Sequence, residues 1–208
     1  HDSIFLGEDG PTHQPIEHLA SLRALPNCFV YRPASAAEVA VSYMQALERK
    51  NAPTAIVLTR QNLESINHSQ VDRVAMKKGA YAVYKNNSNA TQKLTIVASG
   101  SEVPFAISVA NALQDKYQIK VISMLCWEVF TQQPIAYQQS IVSYDDSVVI
   151  IEAGSTFGWL GMIPVDPRKT LLVGIDEFGA SAPQKELAEA YGLTSASIIA
   201  KIKEKFLD

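Results

Sequence analysis

The 208-residue sequence has only two cysteines, no block of like charges and no long apolar run. Cys28 and Cys126 lie in apolar stretches without CxxC or Cys/His spacing, which predicts buried free thiols. The net charge of −3 is spread along the chain, so neither nucleic acid nor a membrane is expected as a partner. Apolar runs such as 147–154 have strand length. No secretory signal opens the chain, and we expect a cytoplasmic protein.

What the sequence does contain is an alternation of helical and strand-like segments. Helical patterns follow Gln14 and Ser35, and Ser35 with Glu38 is typical of a capping box. Strand-like runs begin at Cys28 (CFVYRP) and Thr54 (TAIVLTR). Strands that alternate with helices predict an α/β fold, a three-layer α/β/α arrangement around a mostly parallel sheet.

A polar, aperiodic stretch over 61–78 indicates a connector, and a second α/β series follows it. Five strands are predicted there, with helices over 103–117, 134–143, 183–191 and 195–206, which is enough for a complete domain. Two strands with two helices cannot cover both faces of a sheet, so we expect the first block to be incomplete. The predicted divisions are 1–66, a linker over 67–78, and a domain over 79–208.

The stretch GEDGPTHQP carries candidate chemistry in a short loop. Gly7 and Gly10 permit positive φ, and the loop delivers His13 to the start of the predicted helix. A histidine beside a helix N-terminus favours the neutral form, which can transfer a proton or bond a hydroxyl. Asp9 offers a carboxylate to hydroxyl groups. An equally open alternative is that Asp9 and His13 only satisfy backbone groups of the turn.

Arg60 closes the predicted strand TAIVLTR, at the sheet edge where α/β proteins bind ligands. A guanidinium there suits a phosphate, although a surface pair with Glu17 or Glu64 is also open. ASGSEV, from residue 98, indicates a helix N-cap rather than an anion site, and EAGSTFGWLG, from residue 152, indicates packing. His68 is expected to be solvated.

With these motifs in register, HDSIFLGEDGPTHQPIE and PTAIVLTRQNL resemble the C-terminal part of transketolases. The resemblance is dense over 1–63 and continues more loosely through ASGSEV, EAG and GIDEFGASAP. Phe5 stands where the family usually has glycine, and Thr59 where it usually has serine. The resemblance implies that 1–66 is part of a pyrimidine-binding domain for thiamine diphosphate and that 79–208 is a transketolase C-terminal domain.

The resemblance also implies a function and site residues. Transketolases transfer a two-carbon ketol unit from a ketose phosphate to an aldose phosphate. At the matched positions, His1 and Arg60 would hold the sugar phosphate, and Asp9 would recognise the C2 hydroxyl. His13 would bind substrate oxygen near the reacting carbons and assist proton transfer, as the catalytic residue.

Thiamine diphosphate and Mg²⁺ (or Ca²⁺) are the cofactors that the resemblance implies for the full-length enzyme, which would be a homodimer through upstream domains. No GDG-plus-asparagine motif occurs here, so no cofactor-binding or metal residue is predicted in this chain, which alone is expected to be inactive. Dihydroxyacetone synthase is the nearest alternative, since the motifs fit 1-deoxyxylulose 5-phosphate synthase or pyruvate-dehydrogenase-type components less well. A non-catalytic structural or regulatory role is the other.

Overall fold

Residues 1–68, 71 and 73–206 are described by a computed structural model, and its first part contains a two-stranded parallel sheet. Strand β1 (Phe29–Tyr31) pairs with β2 (Thr54–Ile56), with Phe29 opposite Thr54. Helix α1 (His18–Ala24) precedes β1, and α2 (Ala36–Glu48) connects the two strands. The predicted order of helix, strand, helix and strand is confirmed.

The second part contains a five-stranded sheet in the order β3-β5-β4-β6-β7. Strand β3 is antiparallel to β5, and the other neighbours are parallel. All five predicted strands are present, and the prediction of a mostly parallel sheet is confirmed. The strands are β3 (Ala80–Lys85), β4 (Lys93–Ala98), β5 (Gln118–Met124), β6 (Ser147–Ile151) and β7 (Thr170–Val173).

Helices connect these strands, and the four predicted ones are present with small shifts of their ends. Helix α9 has the predicted bounds, whereas α4 ends four residues early. Three unpredicted helices, α3, α5 and α7, are too short to show a helical period. The helices are α3 (Arg73–Met76), α4 (Glu102–Leu113), α5 (Trp127–Thr131), α6 (Ile135–Ile141), α7 (Trp159–Met162), α8 (Gln184–Ala190) and α9 (Ser195–Phe206).

The large sheet has an apolar layer on each face, which gives the predicted three-layer arrangement. Successive residues of a strand point to opposite faces, so Ile96 and Val97 belong to different buried clusters. The Ile96 cluster includes Val109 of α4 and Ile202 of α9. The Val97 cluster includes Phe130 of α5.

The two sheets share one core. The Ile96 cluster also holds Phe29 and Tyr31 of β1, and Tyr31 forms an isolated bridge with Cys126. Beyond β1, the backbone N–H of Arg32 donates to the carbonyl of Leu125 at 2.9 Å. Both cysteines are buried and free, as predicted.

Two local predictions are wrong. Helix α1 begins at His18 rather than just after Gln14, and residues 14–17 are not helical. His68 is half-buried rather than solvated, because its Nε2 lies 2.8 Å from Ser35 Oγ at the start of α2.

Within the part of the chain that the structure describes, no helix is long and apolar enough to cross a membrane. The proposed division into 1–66, 67–78 and 79–208 stays a prediction.

Candidate functional site

The loop Gly7–Gln14 is a series of tight turns. Gly7 and Gly10 have φ values of 94° and 77°, which L side chains rarely adopt. The N–H of Gly10 donates to the carbonyl of Gly7, and the N–H groups of His13 and Gln14 donate to the carbonyl of Gly10, at 3.0–3.1 Å. These three N–H groups are therefore satisfied within the turn itself, and the side chains of Asp9 and His13 are left exposed.

Asp9 and Arg60 lie together on this surface. Arg60 Nη1 donates to Asp9 Oδ2, and both side chains are 46% exposed. The same nitrogen donates to the carbonyl of Leu6 at 3.1 Å, which holds the guanidinium against the loop. The partner of Arg60 is thus neither Glu17 nor Glu64, and β2 ends four residues before it. A half-exposed guanidinium and carboxylate form a compact polar site.

His13 is exposed, and its Nδ1 lies 2.9 Å from Thr12 Oγ1. Because α1 begins only at His18, His13 does not lie at a helix N-terminus, and that part of the prediction is wrong. His1 is also exposed. Within the described residues, neither histidine is hydrogen-bonded to Asp9 or Arg60. The substrate and catalytic roles of His1, Asp9, His13 and Arg60 stay predictions.

Beside His1 begins a buried ionic cluster that the sequence analysis missed. Arg32 is fully buried and donates to Asp2 Oδ2 at 2.8 Å, to Glu102 Oε2, and to the carbonyl and hydroxyl of Ser99. Ser101 Oγ lies within hydrogen-bonding distance of both Asp2, at 3.0 Å, and Glu102, at 2.6 Å. Burial raises the pKa of Glu102, and nearby Asp2 adds to this shift, although Arg32 opposes it.

The segment ASGSEV therefore binds the guanidinium of Arg32. Ser101 occupies the N-cap position of α4, as predicted, but among the described residues its side chain makes no capping hydrogen bond. The hydroxyl of Ser101 is used by Asp2 and Glu102 instead. The sequence signal that could have indicated this part of the cluster was the run of small polar residues directly after a buried strand.

Glu152 is the second centre of the cluster. Arg23 holds its carboxylate with two hydrogen bonds of 2.7 and 2.9 Å, and Ser99 Oγ and Trp159 Nε1 donate to it as well. The Arg23 guanidinium also stacks 3.9 Å from the Trp127 ring. Burial raises the pKa of Glu152, but Arg23, Arg32 and Ser99 together outweigh burial and lower it to about 2. The segment EAGSTFGWLG thus contributes the buried charge of Glu152 as well as the predicted packing.

The described residues contain no group of three or more His, Cys, Asp or Glu side chains that could hold a metal ion. The chemistry available here is that of a guanidinium, a carboxylate and two exposed histidines.

Two family models match this chain, and both describe α/β domains of one class of enzyme. Residues 1–65 match the pyrimidine binding domain of transketolase, and residues 79–194 match the transketolase-like C-terminal domain. The chain belongs to the transketolase family. Because the first of these domains binds a pyrimidine, family membership implies thiamine diphosphate as the family's cofactor.

Individual relatives agree over nearly the whole chain. The chloroplastic transketolase of Solanum tuberosum is 40% identical over 206 residues, 98% of this chain and 27% of that protein. The transketolase of Aquifex aeolicus is 41% identical over 209 residues, 99% of this chain and 30% of that protein. The chain therefore spans less than a third of the length of these relatives.

Solved structures show the same fold. The transketolase of Leishmania mexicana has a TM-score of 0.87 at 39% identity, covering 98% of this chain and 29% of that one. A Pichia stipitis transketolase in complex with sedoheptulose 7-phosphate has a TM-score of 0.87 at 33% identity, covering 99% and 29%.

Proposed function

We propose that this chain supplies substrate-channel residues and the C-terminal domain of a transketolase. The enzyme transfers a two-carbon ketol unit from a ketose phosphate to an aldose phosphate. The observation that carries this proposal is the exposed pair of Arg60 and Asp9 on the glycine loop of a pyrimidine-binding domain. The sugar phosphate bound to the Pichia stipitis relative supports the same substrate class.

Arg60 and Asp9 suit the two polar ends of such a substrate. A guanidinium can grip a phosphate through two N–H groups, and Arg60 keeps almost half of its side chain exposed. A carboxylate accepts hydrogen bonds from hydroxyl groups, which suits Asp9 for the C2 hydroxyl. A substrate phosphate would compete with Asp9 for Arg60, and the released carboxylate would then be free to accept from the hydroxyl.

The two exposed histidines complete the proposed channel. His13 binds a substrate oxygen near the reacting carbons and assists proton transfer, a task that suits imidazole near neutral pH. His1 adds a second contact to the phosphate. Both side chains are open to an incoming substrate.

Thiamine diphosphate, with Mg²⁺ or Ca²⁺ on its diphosphate, is the cofactor that we propose for the whole enzyme, to which it supplies the carbanion chemistry. We place its metal and diphosphate ligands outside this chain, whose described residues offer no metal cluster. The chain alone would then bind neither group and would not turn over. We further propose a cytoplasmic homodimer that binds sugar phosphates and neither nucleic acid nor membrane.

A chimera tests this function. In the Aquifex aeolicus transketolase, the matching 209 residues are replaced by this chain, and ketol transfer from xylulose 5-phosphate to ribose 5-phosphate is measured. We expect activity in the chimera, and Arg60→Met should raise KM about 10- to 100-fold, since a charge-assisted hydrogen bond contributes about 1.5–3 kcal/mol. Arg60→Lys should have a smaller effect because it retains the charge.

The matched control is Arg168→Met, at an arginine whose side chain is 87% exposed and pairs with Asp166. It should leave KM unchanged. A folded, cofactor-loaded chimera without activity, or an Arg60→Met variant with unchanged KM, would contradict the proposal. Faster turnover with formaldehyde as acceptor would indicate a dihydroxyacetone synthase instead.

A further inference from the structure

The side chain that follows His13 is buried beneath the glycine loop. Gln14 is 3% exposed, and its Nε2 donates to the carbonyl of Gly7 at 3.0 Å and to that of Ala180 at 2.9 Å. One amide thus closes the loop on itself and ties it to the segment beyond β7. A buried amide that loses such partners is costly, so this arrangement resists displacement.

The segment 179–182 is shaped to receive this amide. A Cβ added at Gly179 would lie 1.7 Å from Gln14 Oε1, although the φ of Gly179 lies outside the left-handed region. Glycine is therefore needed here for space and not for backbone conformation. Its absent side chain leaves room for the Gln14 amide.

Two further contacts hold the same loop. Ser181 Oγ donates to the carbonyl of Glu8, and a Cβ added at Gly10 would lie 3.1 Å from Ser181 Cβ. After β6, the N–H of Ser155 donates to the carbonyl of Ile16 at 2.9 Å. The loop that carries Asp9 and His13 is thus held from both ends by loops of the large sheet.

These supporting loops follow β6 and β7, at the carboxyl edge of the parallel strands. In open α/β sheets this edge is where ligands usually bind. Here it holds the backbone of another part of the chain. The C-terminal domain thereby contacts the loop of the proposed substrate site through the carbonyl of Ala180 and the hydroxyl of Ser181.

We propose that Gln14 and the segment 179–182 are positioning residues, through which the C-terminal domain holds Asp9 and His13 in place for substrate. The catalytic consequence of this proposal rests on the proposed function. Its structural part, the holding of the loop, rests on the hydrogen bonds described above. It assigns to the C-terminal domain a direct influence on recognition of the C2 hydroxyl.

The test compares Gln14→Met with Gln138→Met in the chimera described above. Half-buried Gln138 is matched to Gln14 in its hydrogen bonds, because its Nε2 also donates to two carbonyls, those of Thr131 at the end of α5 and of Gln133, at 3.0 and 2.8 Å. The first readout is amide hydrogen exchange over residues 7–14 by mass spectrometry. We expect at least a roughly 10-fold acceleration in Gln14→Met and none in Gln138→Met.

The second readout is discrimination between two acceptor aldoses that are epimers at C2, measured as the ratio of their kcat/KM values. Misplacing a recognition group by about 1 Å can cost about 100-fold in rate, so we expect Gln14→Met to reduce the ratio by roughly 10-fold. Loss of folded enzyme would lower both kcat/KM values equally and leave the ratio unchanged.

Two further variants keep the test decisive if Gln14→Met does not fold. Gly179→Ala should displace Gln14 and reproduce the effect of Gln14→Met on exchange. Ser181 is exposed, and Ser181→Ala, which removes the hydrogen bond to the carbonyl of Glu8, should give a smaller effect. Unchanged exchange over 7–14 in all three variants would overturn the proposal. If the unsubstituted chimera folds but is inactive, while Gln14→Met still accelerates exchange over 7–14, the proposed function is overturned and the positioning role stands.

Discussion

At the scale of single residues, the buried charges are distinguished by how completely each one is paired. Glu152 receives hydrogen bonds from Arg23, Ser99 and Trp159 and keeps its charge. Glu102 has a raised pKa, because burial and the charge of Asp2 outweigh the help from Arg32. Within one cluster, carboxylates can therefore have pKa values shifted in opposite directions.

Glu152 should make stability depend on acid. Its pKa of about 2 in the folded protein lies below the ordinary value of 4.5, so its charge stabilises the folded state at neutral pH. That contribution is lost as the pH falls through the interval between these two values. We expect Glu152→Gln to lower the free energy of unfolding at neutral pH by about 3 kcal/mol, since it leaves Arg23 buried without a carboxylate.

Urea unfolding of both proteins from neutral pH to pH 2 measures this effect. The gap between wild type and Glu152→Gln should narrow as the pH falls below about 4.5. A gap that stays constant over this interval would show that the charge of Glu152 is not the stabilising feature.

At the scale of secondary structure elements, helix α2 shows how a local signal gains a tertiary role. Ser35 accepts from the N–H of Glu38 at 3.3 Å, as the capping box predicts. The Glu38 carboxylate accepts from the N–H of Ala34, and also from Tyr81 of β3 and Ser123 of β5 at 2.5 and 2.6 Å. The start of α2 is thereby attached to the large sheet.

The entry to β3 depends on a glycine. Gly79 has a φ of 86°, and a Cβ there would lie 2.5 Å from the carbonyl oxygen of Cys126 and from the nitrogen of Phe130. Gly79→Ala should therefore lower the free energy of unfolding by about 3 kcal/mol, through backbone strain and overpacking together. Thermal or urea unfolding measures this loss.

Gly161→Ala in α7 is the matched control. Among the described residues, nothing lies within 4 Å of a Cβ added at Gly161, and the φ of Gly161 is not left-handed. Because alanine is the better helix former, this variant should be neutral or slightly more stable. Equal effects of the two substitutions would contradict the role given to the conformation of Gly79.

At the scale of the whole molecule, the two family segments are joined by buried charges. Arg32 belongs to the segment that matches the pyrimidine-binding domain, whereas Ser99, Ser101 and Glu102 belong to the segment that matches the C-terminal domain. A second buried ion pair, between Arg23 of the first segment and Glu152 of the second, connects the two segments in the same way. An ionic interface of this kind loses stability steeply when one partner is removed, because the other charges stay buried.

Arg32→Met should therefore cost about 3–5 kcal/mol of unfolding free energy, since Asp2 and Glu102 lose their cation. Hydrogen exchange should show the loss first in β1, with β4 affected less. Arg168→Met, on the exposed pair with Asp166, should leave stability close to wild type. An Arg32→Met variant as stable as wild type would contradict this account of the interface.

Much of the fold was predictable from sequence, because its signals are local. Apolar runs located every strand of the large sheet, and helical spacing located α2 and α9. Gly7 and Gly10 indicated the turn that presents Asp9 and His13. One-turn helices such as α5 gave no signal, since five residues cannot show a helical period.

The sequence by itself determined the α/β class, the strands and the residue types of the candidate site. Only the tertiary structure decided the partners: Arg60 with Asp9, Arg32 with Glu102, and Gln14 with Ala180. Secondary structure follows from neighbouring residues, whereas these pairs join positions 51, 70 and 166 residues apart. No local sequence pattern indicates which polar groups will pair over such distances, so the pairs were determined by the packing of the two sheets against each other.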